Sequence, residues 1–188
     1  MNRRLVALAL ALPLGGTWVD AGERPLAVDS AQSHVDVAVH VTVDSFIGKL
    51  TRFEPRVVVD DDGRIVSAKV TFHFRDVVTG KDSRDTAMHK WQHTDEFPDG
   101  TFVLTSFEPA VAPEKGYVAM GRLTFHGVVR DLRFPVSVLR ENGRYIIDGE
   151  ATLDTREFGL PVIRMLAVLK VDPQVKVRFH LVGKVELP

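Results

Sequence analysis

The chain has 188 residues, of which 45% are hydrophobic and 26% are charged, and its formal net charge is −1. This composition is typical of a globular domain and excludes a disordered chain, while the near-neutral charge argues against a nucleic-acid-binding protein. Cysteine is absent, which excludes disulfides, thiol catalysis and iron–sulfur ligation.

The N-terminal segment 1–21 has the pattern of a secretory signal peptide. MNRR is a short basic region, and the following LVALALALPLGG is apolar but too short to span a bilayer. Val19 and Ala21 occupy the two positions that signal peptidase reads, so we predict cleavage after Ala21. Residues 22–188 are then expected to form one exported domain without a membrane segment; the alternative is a buried N-terminal helix.

Beyond the N-terminal segment, the dominant hydrophobic period is two. In HVDVAVHVTV, valines alternate with polar or small residues, as expected of a half-buried β-strand. Turn signals such as DDG at 61–63 and ENG at 141–143 separate similar runs. The pattern predicts eight largely antiparallel strands, at 33–43, 49–59, 64–75, 101–108, 116–126, 129–140, 144–153 and 174–186. Short connections and one apolar face per strand favour a closed, all-β sheet with an interior that is filled or holds one small ligand.

The segment 80–102 interrupts the strand pattern. We predict a helix at about 84–93, because this stretch lacks Gly, Pro, Val and Ile, and Pro98 limits its extension. Met88 and Trp91 share one face of this helix. A helix between two strands can lie across one end of the barrel with these side chains directed inwards. The alternative is that it caps an ordinary core.

A different face of the predicted helix carries Asp85, His89 and His93, which are spaced four residues apart. Such spacing could ligate Zn²⁺. Lys90 breaks the H-E-x-x-H pattern of metalloproteases, and a solvated outer face is the favoured interpretation. A metal-binding or stress-response protein that uses His89 and His93 stays open as an alternative function.

Four segments stand out by their order along the chain: DSAQSHVDVAVHV, DSRDTAMHKWQHTDEFPDGTFVLTSF, GRLTFHGVVRDLRFPV and TREFGL. In this order they resemble the YceI-like family of periplasmic, polyisoprenoid-binding proteins, and the resemblance covers roughly 26–187. It implies a lipocalin-like, eight-stranded antiparallel barrel with a helix near its mouth and a long isoprenoid or similar lipid inside. The apolar stretch PVIRMLAVLKVD stands where a more polar loop is expected, and we predict a second short helix there.

Lipid binding of this kind assigns roles to residues. The side chains expected to contact the ligand inside the barrel are Val37, Val39, Val70, Phe72, Phe74, Phe102, Leu104, Leu123 and Phe125, with Met88, Trp91 and Phe158 at the mouth. Arg84 and Arg156 are candidates for holding a pyrophosphate or quinone-like head group, because the guanidinium suits phosphate. His126 is expected to make a structural hydrogen bond. Core packing is the alternative role for each apolar residue.

The sequence favours a non-catalytic carrier over a hydrolase or isomerase, because G-x-S-x-G, Walker A and dinucleotide fingerprints are absent. No cofactor and no nucleic-acid partner are predicted, and the expected partner is a lipid. The identity of the lipid and the oligomeric state, including a homodimer, stay open.

Overall fold

The structure, a computed structural model, describes residues 22–42, 44–165 and 169–185. The predicted signal peptide therefore lies outside the described residues. Thirteen strands and one α-helix are present in the described part of the chain. The strands are Arg24–Val28 (β1), His34–Val41 (β2), Asp44–Leu50 (β3), Glu54–Val59 (β4), Ile65–His73 (β5), Val77–Val78 (β6), Asp99–Pro109 (β7), Tyr117–Phe125 (β8), Val128–Glu141 (β9), Arg144–Asp154 (β10), Arg164–Met165 (β11), Leu169–Lys170 (β12) and Gln174–Val185 (β13).

Eight antiparallel strands close into a barrel, in the order β1-β4-β5-β7-β8-β9-β10-β13. Strand β1 completes the ring because it pairs with β4 on one side, Pro25 opposite Val58, and with β13 on the other, Val28 opposite Gly183. The predicted number of barrel strands is thus confirmed. Their membership differs, because the short β1 was not predicted and takes a place in the ring.

Strands β2, β3 and β6 form a branch outside this ring. Strand β2 pairs with the first half of β13, so the β2–β3 hairpin extends the barrel wall at one end. The prediction of one strand over 49–59 was wrong. The chain leaves its pairing with β6 at Leu50 and starts pairing with β5 at Glu54. The apolar alternation changes phase at this corner, where Thr51 and Arg52 separate Leu50 from Phe53.

The α-helix, α1, spans Asp82–Gln92 between β6 and β7. Its N-cap is Lys81, whose side chain makes no capping hydrogen bond. In the first turn, Asp85 accepts hydrogen bonds from the backbone N–H and the hydroxyl of Thr79. It ends at His93, which adopts a left-handed conformation with φ of 54°. Among the described residues, no helix is sufficiently long and apolar to cross a membrane.

The predicted second short helix is not what the structure shows. The described residues of that stretch form the two-residue strands β11 and β12, which pair as a small hairpin with Arg164 opposite Lys170. The hairpin joins the barrel through Val41 opposite Val171 and through the Thr42 N–H, which donates to the Lys170 carbonyl. The apolar composition of this stretch suggested a helix. The stretch instead pairs with the end of β2, through Val41 and Thr42.

One end of the barrel is filled with side chains. Leu26, Val59 and Tyr145 are buried there, and the Tyr145 hydroxyl donates a hydrogen bond of 3.2 Å to the Gly63 carbonyl. The DDG turn supplies that carbonyl, with Gly63 at a φ of 77°. We call this end the floor. The opposite end carries α1, the β2–β3 hairpin and the β11–β12 hairpin.

Candidate functional site

A cavity of about 780 Å³ occupies the barrel above the floor. Its wall is built by the inward-facing side chains of the strands, and they are valine, leucine, isoleucine, alanine and phenylalanine over most of its length. Many of these side chains, including Val35, Val37 and Phe179, are only half-buried although they point inwards. The interior is therefore an apolar hollow and not a filled core.

The predicted ligand-contacting residues line this cavity, with one exception, Arg156. Those that do so are Val37, Val39, Val70, Phe72, Phe74, Arg84, Met88, Trp91, Phe102, Leu104, Leu123, Phe125 and Phe158. The inward orientation of those in strands follows from period-two alternation, which puts every second side chain on the same face. Contact with a ligand stays a prediction for each of them.

Arg156 lies outside the cavity lining. Its Nε donates a hydrogen bond of 2.9 Å to Asp154 Oδ1, and Asp154 also caps the short 3₁₀ helix Thr155–Phe158 by accepting from the Arg156 backbone N–H. Hydrogen bonding from the Arg156 side chain lowers the pKa of Asp154. The prediction that Arg156 holds a head group is unsupported by this geometry, because the capped turn directs its guanidinium to the neighbouring carboxylate.

Polar groups lining the cavity gather at the end opposite the floor. They are Asp44 at the start of β3, Arg84 in α1, Thr155 after β10, Arg164 in β11 and Asp172 before β13. Each of these positions belongs to the elements that surround this end. We call it the mouth. A long ligand would accordingly place its polar group here and its apolar chain towards the floor.

Helix α1 lies across the mouth and contacts both neighbouring walls. Trp91 Nε1 donates a hydrogen bond of 2.8 Å to the Pro161 carbonyl, in the segment before β11. At the other end of the helix, the Arg84 guanidinium lies 4.1 Å from the centre of the Phe46 ring in β3. Met88, between them, faces the cavity. The helix thus covers the mouth as a lid, with one of these two contacts towards each of its ends.

The histidines of α1 do not form the outer polar face that the sequence predicted. His93 is exposed, but His89 is half-buried, with its ring edge-on to Phe74 at a centroid distance of 5.9 Å. Asp85 is engaged by Thr79. Within the described ranges, no three His, Asp or Glu side chains converge as a metal site. The zinc alternative at Asp85, His89 and His93 is therefore not supported.

His126 has the structural role that the sequence favoured. Its Nδ1 lies 2.8 Å from the Phe158 carbonyl oxygen, and its ring packs on Phe97 at a centroid distance of 4.4 Å. This contact ties the turn after β8 to the 3₁₀ helix beside the mouth. It positions Phe158, which is 1% exposed and lines the cavity.

Two buried polar residues hold the C-terminal end of the lid, and sequence reasoning missed both. Gln92 and Thr94 are 0% and 2% exposed. Gln92 Nε2 donates to the Phe97 carbonyl at 3.0 Å, and its Oε1 accepts from the Thr94 hydroxyl at 2.6 Å. These bonds fix the turn at 92–97, through which the helix leads into β7. A Gln after a helical Trp carries no local signal of burial.

Replacing Gln92 with alanine should lower the free energy of unfolding by about 1–3 kcal/mol, because the Phe97 carbonyl and the Thr94 hydroxyl lose their buried partner. Urea denaturation followed by circular dichroism measures this change. Lys90→Ala, at an exposed position of the same helix, is the control and should change it by no more than about 0.5 kcal/mol. Equal stability of both variants would show that the Gln92 contacts contribute nothing.

Further lining residues were left out of the predicted set. They include Phe134 and Val136 in β9, Ile147 in β10, and Phe179 and Leu181 in β13. The same alternation that placed the predicted residues extends through these strands and could have found them.

The sequence model of the YceI-like domain matches residues 26–183. The chain belongs to the YceI-like domain family. This match spans the described barrel from β1 to β13, so the cavity and its lid both lie inside the YceI-like domain. A search of curated proteins gave no match.

Solved structures share the fold of this YceI-like domain. BcnA from Burkholderia cenocepacia is 23% identical with a TM-score of 0.72, covering 82% of this chain and 98% of that chain. A polyisoprenoid binding domain from Saccharophagus degradans, implicated in plant cell wall breakdown, is 15% identical with a TM-score of 0.63, covering 88% and 100%. The Campylobacter jejuni YCEI protein is 17% identical with a TM-score of 0.59, covering 79% and 90%. At these identities, the likeness shows the fold.

Proposed function

We propose that this protein is a non-catalytic carrier that holds an isoprenoid or similar long-chain lipid in the barrel cavity. The observation that carries this proposal is the apolar cavity of about 780 Å³ with its polar lining groups gathered at one mouth. The polyisoprenoid binding domain of Saccharophagus degradans has the same fold, which supports an isoprenoid as the ligand.

Burial of the chain supplies the binding free energy. Each CH₂ group removed from water contributes about 0.8 kcal/mol, whereas a hydrogen bond to the head group adds about 0.5–1.5 kcal/mol net. The cavity of about 780 Å³ ends at the floor, which limits the length of chain that it can hold. Selectivity should accordingly be loose for the head group and stricter for the chain.

We further propose that the carrier acts in the periplasm after export and removal of residues 1–21. The basic MNRR segment, the short apolar run and Ala21 at the cleavage position support this proposal. The intact mass of the protein from a Gram-negative cell tests it. A mature chain that begins at Gly22 in the periplasmic fraction is expected, and a full-length cytoplasmic product would contradict it.

Native mass spectrometry of the protein purified from cells that make it should show a bound species, and an organic extract should contain an intact long-chain lipid. The delipidated protein should rebind that lipid and return it chemically unchanged after incubation. A conversion of the lipid would contradict the non-catalytic role. Absence of a bound species, together with failure to bind an added polyprenol, would overturn the carrier proposal.

A further inference from the structure

Three glycines of the barrel wall lie directly beneath phenylalanine rings of the cavity. A methyl group at Gly100 would lie 2.1 Å from Phe72 Cζ, and one at Gly149 would lie 2.3 Å from Phe179 Cζ. Each of these glycines is the cross-strand partner of its phenylalanine. Gly121 holds a similar place under Phe102, with a Cζ distance of 2.3 Å.

Backbone conformation does not explain these glycines. None of the three has the positive φ of turn glycines such as Gly63 and Gly143. Glycine in a strand interior weakens the strand, since it adds chain entropy to the unfolded state and packs no side chain. The presence of glycine at these positions is explained by the aromatic ring, which occupies the space that a side chain would fill.

The three rings also line the cavity. Because each ring lies over a glycine of the neighbouring strand, it rests against the wall and leaves the lumen open. A side chain on the glycine would displace the ring by rotation about the phenylalanine side-chain torsions, and the free space for that rotation is the cavity. The glycines therefore keep the aromatic rings out of the path of a ligand.

We propose that Gly100, Gly121 and Gly149 set the width of the cavity and make it select methyl-branched chains over straight ones. This inference rests on the proposed lipid-binding function and deepens it to the class of chain. A straight chain in a wide lumen leaves gaps that cost dispersion contacts, whereas methyl branches fill them. A ring displaced into the lumen removes the room for branches first.

Phytanol and 1-hexadecanol test the inference, because they share a head group and a main chain and differ only in methyl branches. Delivered from cyclodextrin, each displaces a fluorescent apolar probe from the delipidated protein. The wild type should bind phytanol more tightly. In Gly149→Ala and Gly100→Ala, the ratio of phytanol to hexadecanol affinity should fall by about tenfold or more, the scale of a few misplaced methyl groups. Gly121 is unsuitable, since a methyl group there also meets the Val103 backbone oxygen at 2.6 Å.

Two further variants separate ring displacement from lost stability. Adding Phe179→Leu to Gly149→Ala should restore the wild-type ratio, because the smaller side chain no longer competes for the space. Gly143→Ala strains a turn glycine with φ of 74° and nothing within 4 Å, so it should lower stability and leave the ratio unchanged. If both glycine variants failed to fold, Phe179→Leu alone should raise the ratio by widening the lumen.

The outcomes distinguish this inference from the function on which it rests. A wild-type protein that binds neither alcohol overturns the carrier proposal. A wild type that binds both without preference for phytanol, or folded glycine variants with an unchanged ratio, overturns the width inference and leaves the carrier proposal standing. An unchanged ratio in Phe179→Leu overturns it equally.

Discussion

Phe72→Arg should abolish lipid retention while the barrel stays folded. Phe72 lines the cavity and lies half-exposed to it, so the longer side chain has room, and an empty cavity can hydrate its charge. A ligand chain would remove that water and leave an unpaired guanidinium in apolar surroundings, which costs several kcal/mol. The affinity for a polyprenol should fall by about a thousandfold or more. Native mass spectrometry and probe displacement measure it, with circular dichroism as the check of folding.

Thr71→Arg is the matched control for this experiment. Thr71 is the neighbour of Phe72 on β5 but faces outwards, where its hydroxyl lies 3.4 Å from Glu54 Oε2. The same charge added at this position should leave lipid binding unchanged. If folded Phe72→Arg protein kept as much lipid as the wild type, the chain would not lie in the barrel cavity.

Trp91→Ala should release bound lipid about tenfold faster or more. The substitution removes the hydrogen bond to the Pro161 carbonyl and the ring that covers the cavity between α1 and the opposite wall. Trp91→Phe keeps an aromatic ring and loses only the hydrogen bond. A net contribution of about 0.5–1.5 kcal/mol then corresponds to about 2- to 12-fold faster release. Stopped-flow transfer of a fluorescent prenyl probe to acceptor vesicles measures these rates.

The release rate should be highest for Trp91→Ala, lower for Trp91→Phe and lowest for the wild type. Lys90→Ala, one residue away and exposed, should release the probe at the wild-type rate. Identical rates for Trp91→Ala and wild type would mean that the lipid leaves without displacing the lid.

The barrel and most of its lining were predictable because local alternation determines which side chains point inwards. Val37, Val70 and Leu123 all line the cavity, as period two predicts. The lid was predictable for a similar reason, since the strand pattern stops at 80 and Pro98 ends the helical stretch. Even the short spacing of Met88 and Trp91 placed both on the inner face.

What the sequence did not predict depends on contacts between distant segments. Strand β1 is only five residues long, and its role appears only when β13 and β4 lie beside it. Val66 is in phase with the inward-facing Ala68 and Val70 along the sequence, but it is 46% exposed, because the register shifts between Val58 and Val59 on the neighbouring strand. The glycine under each phenylalanine ring belongs to another strand, so spacing along one strand gives no hint of the pair.

The sealed floor has a consequence for how a guest travels. Leu26, Val59 and Tyr145 close the floor, so in the described part of the chain the cavity opens at the mouth. Under the proposed function, a lipid must therefore enter tail first and leave head first, with its head group at the surface and its tail inside the barrel. Whatever donates or receives the lipid, a bilayer or another protein, has to meet the molecule at the side where α1 lies.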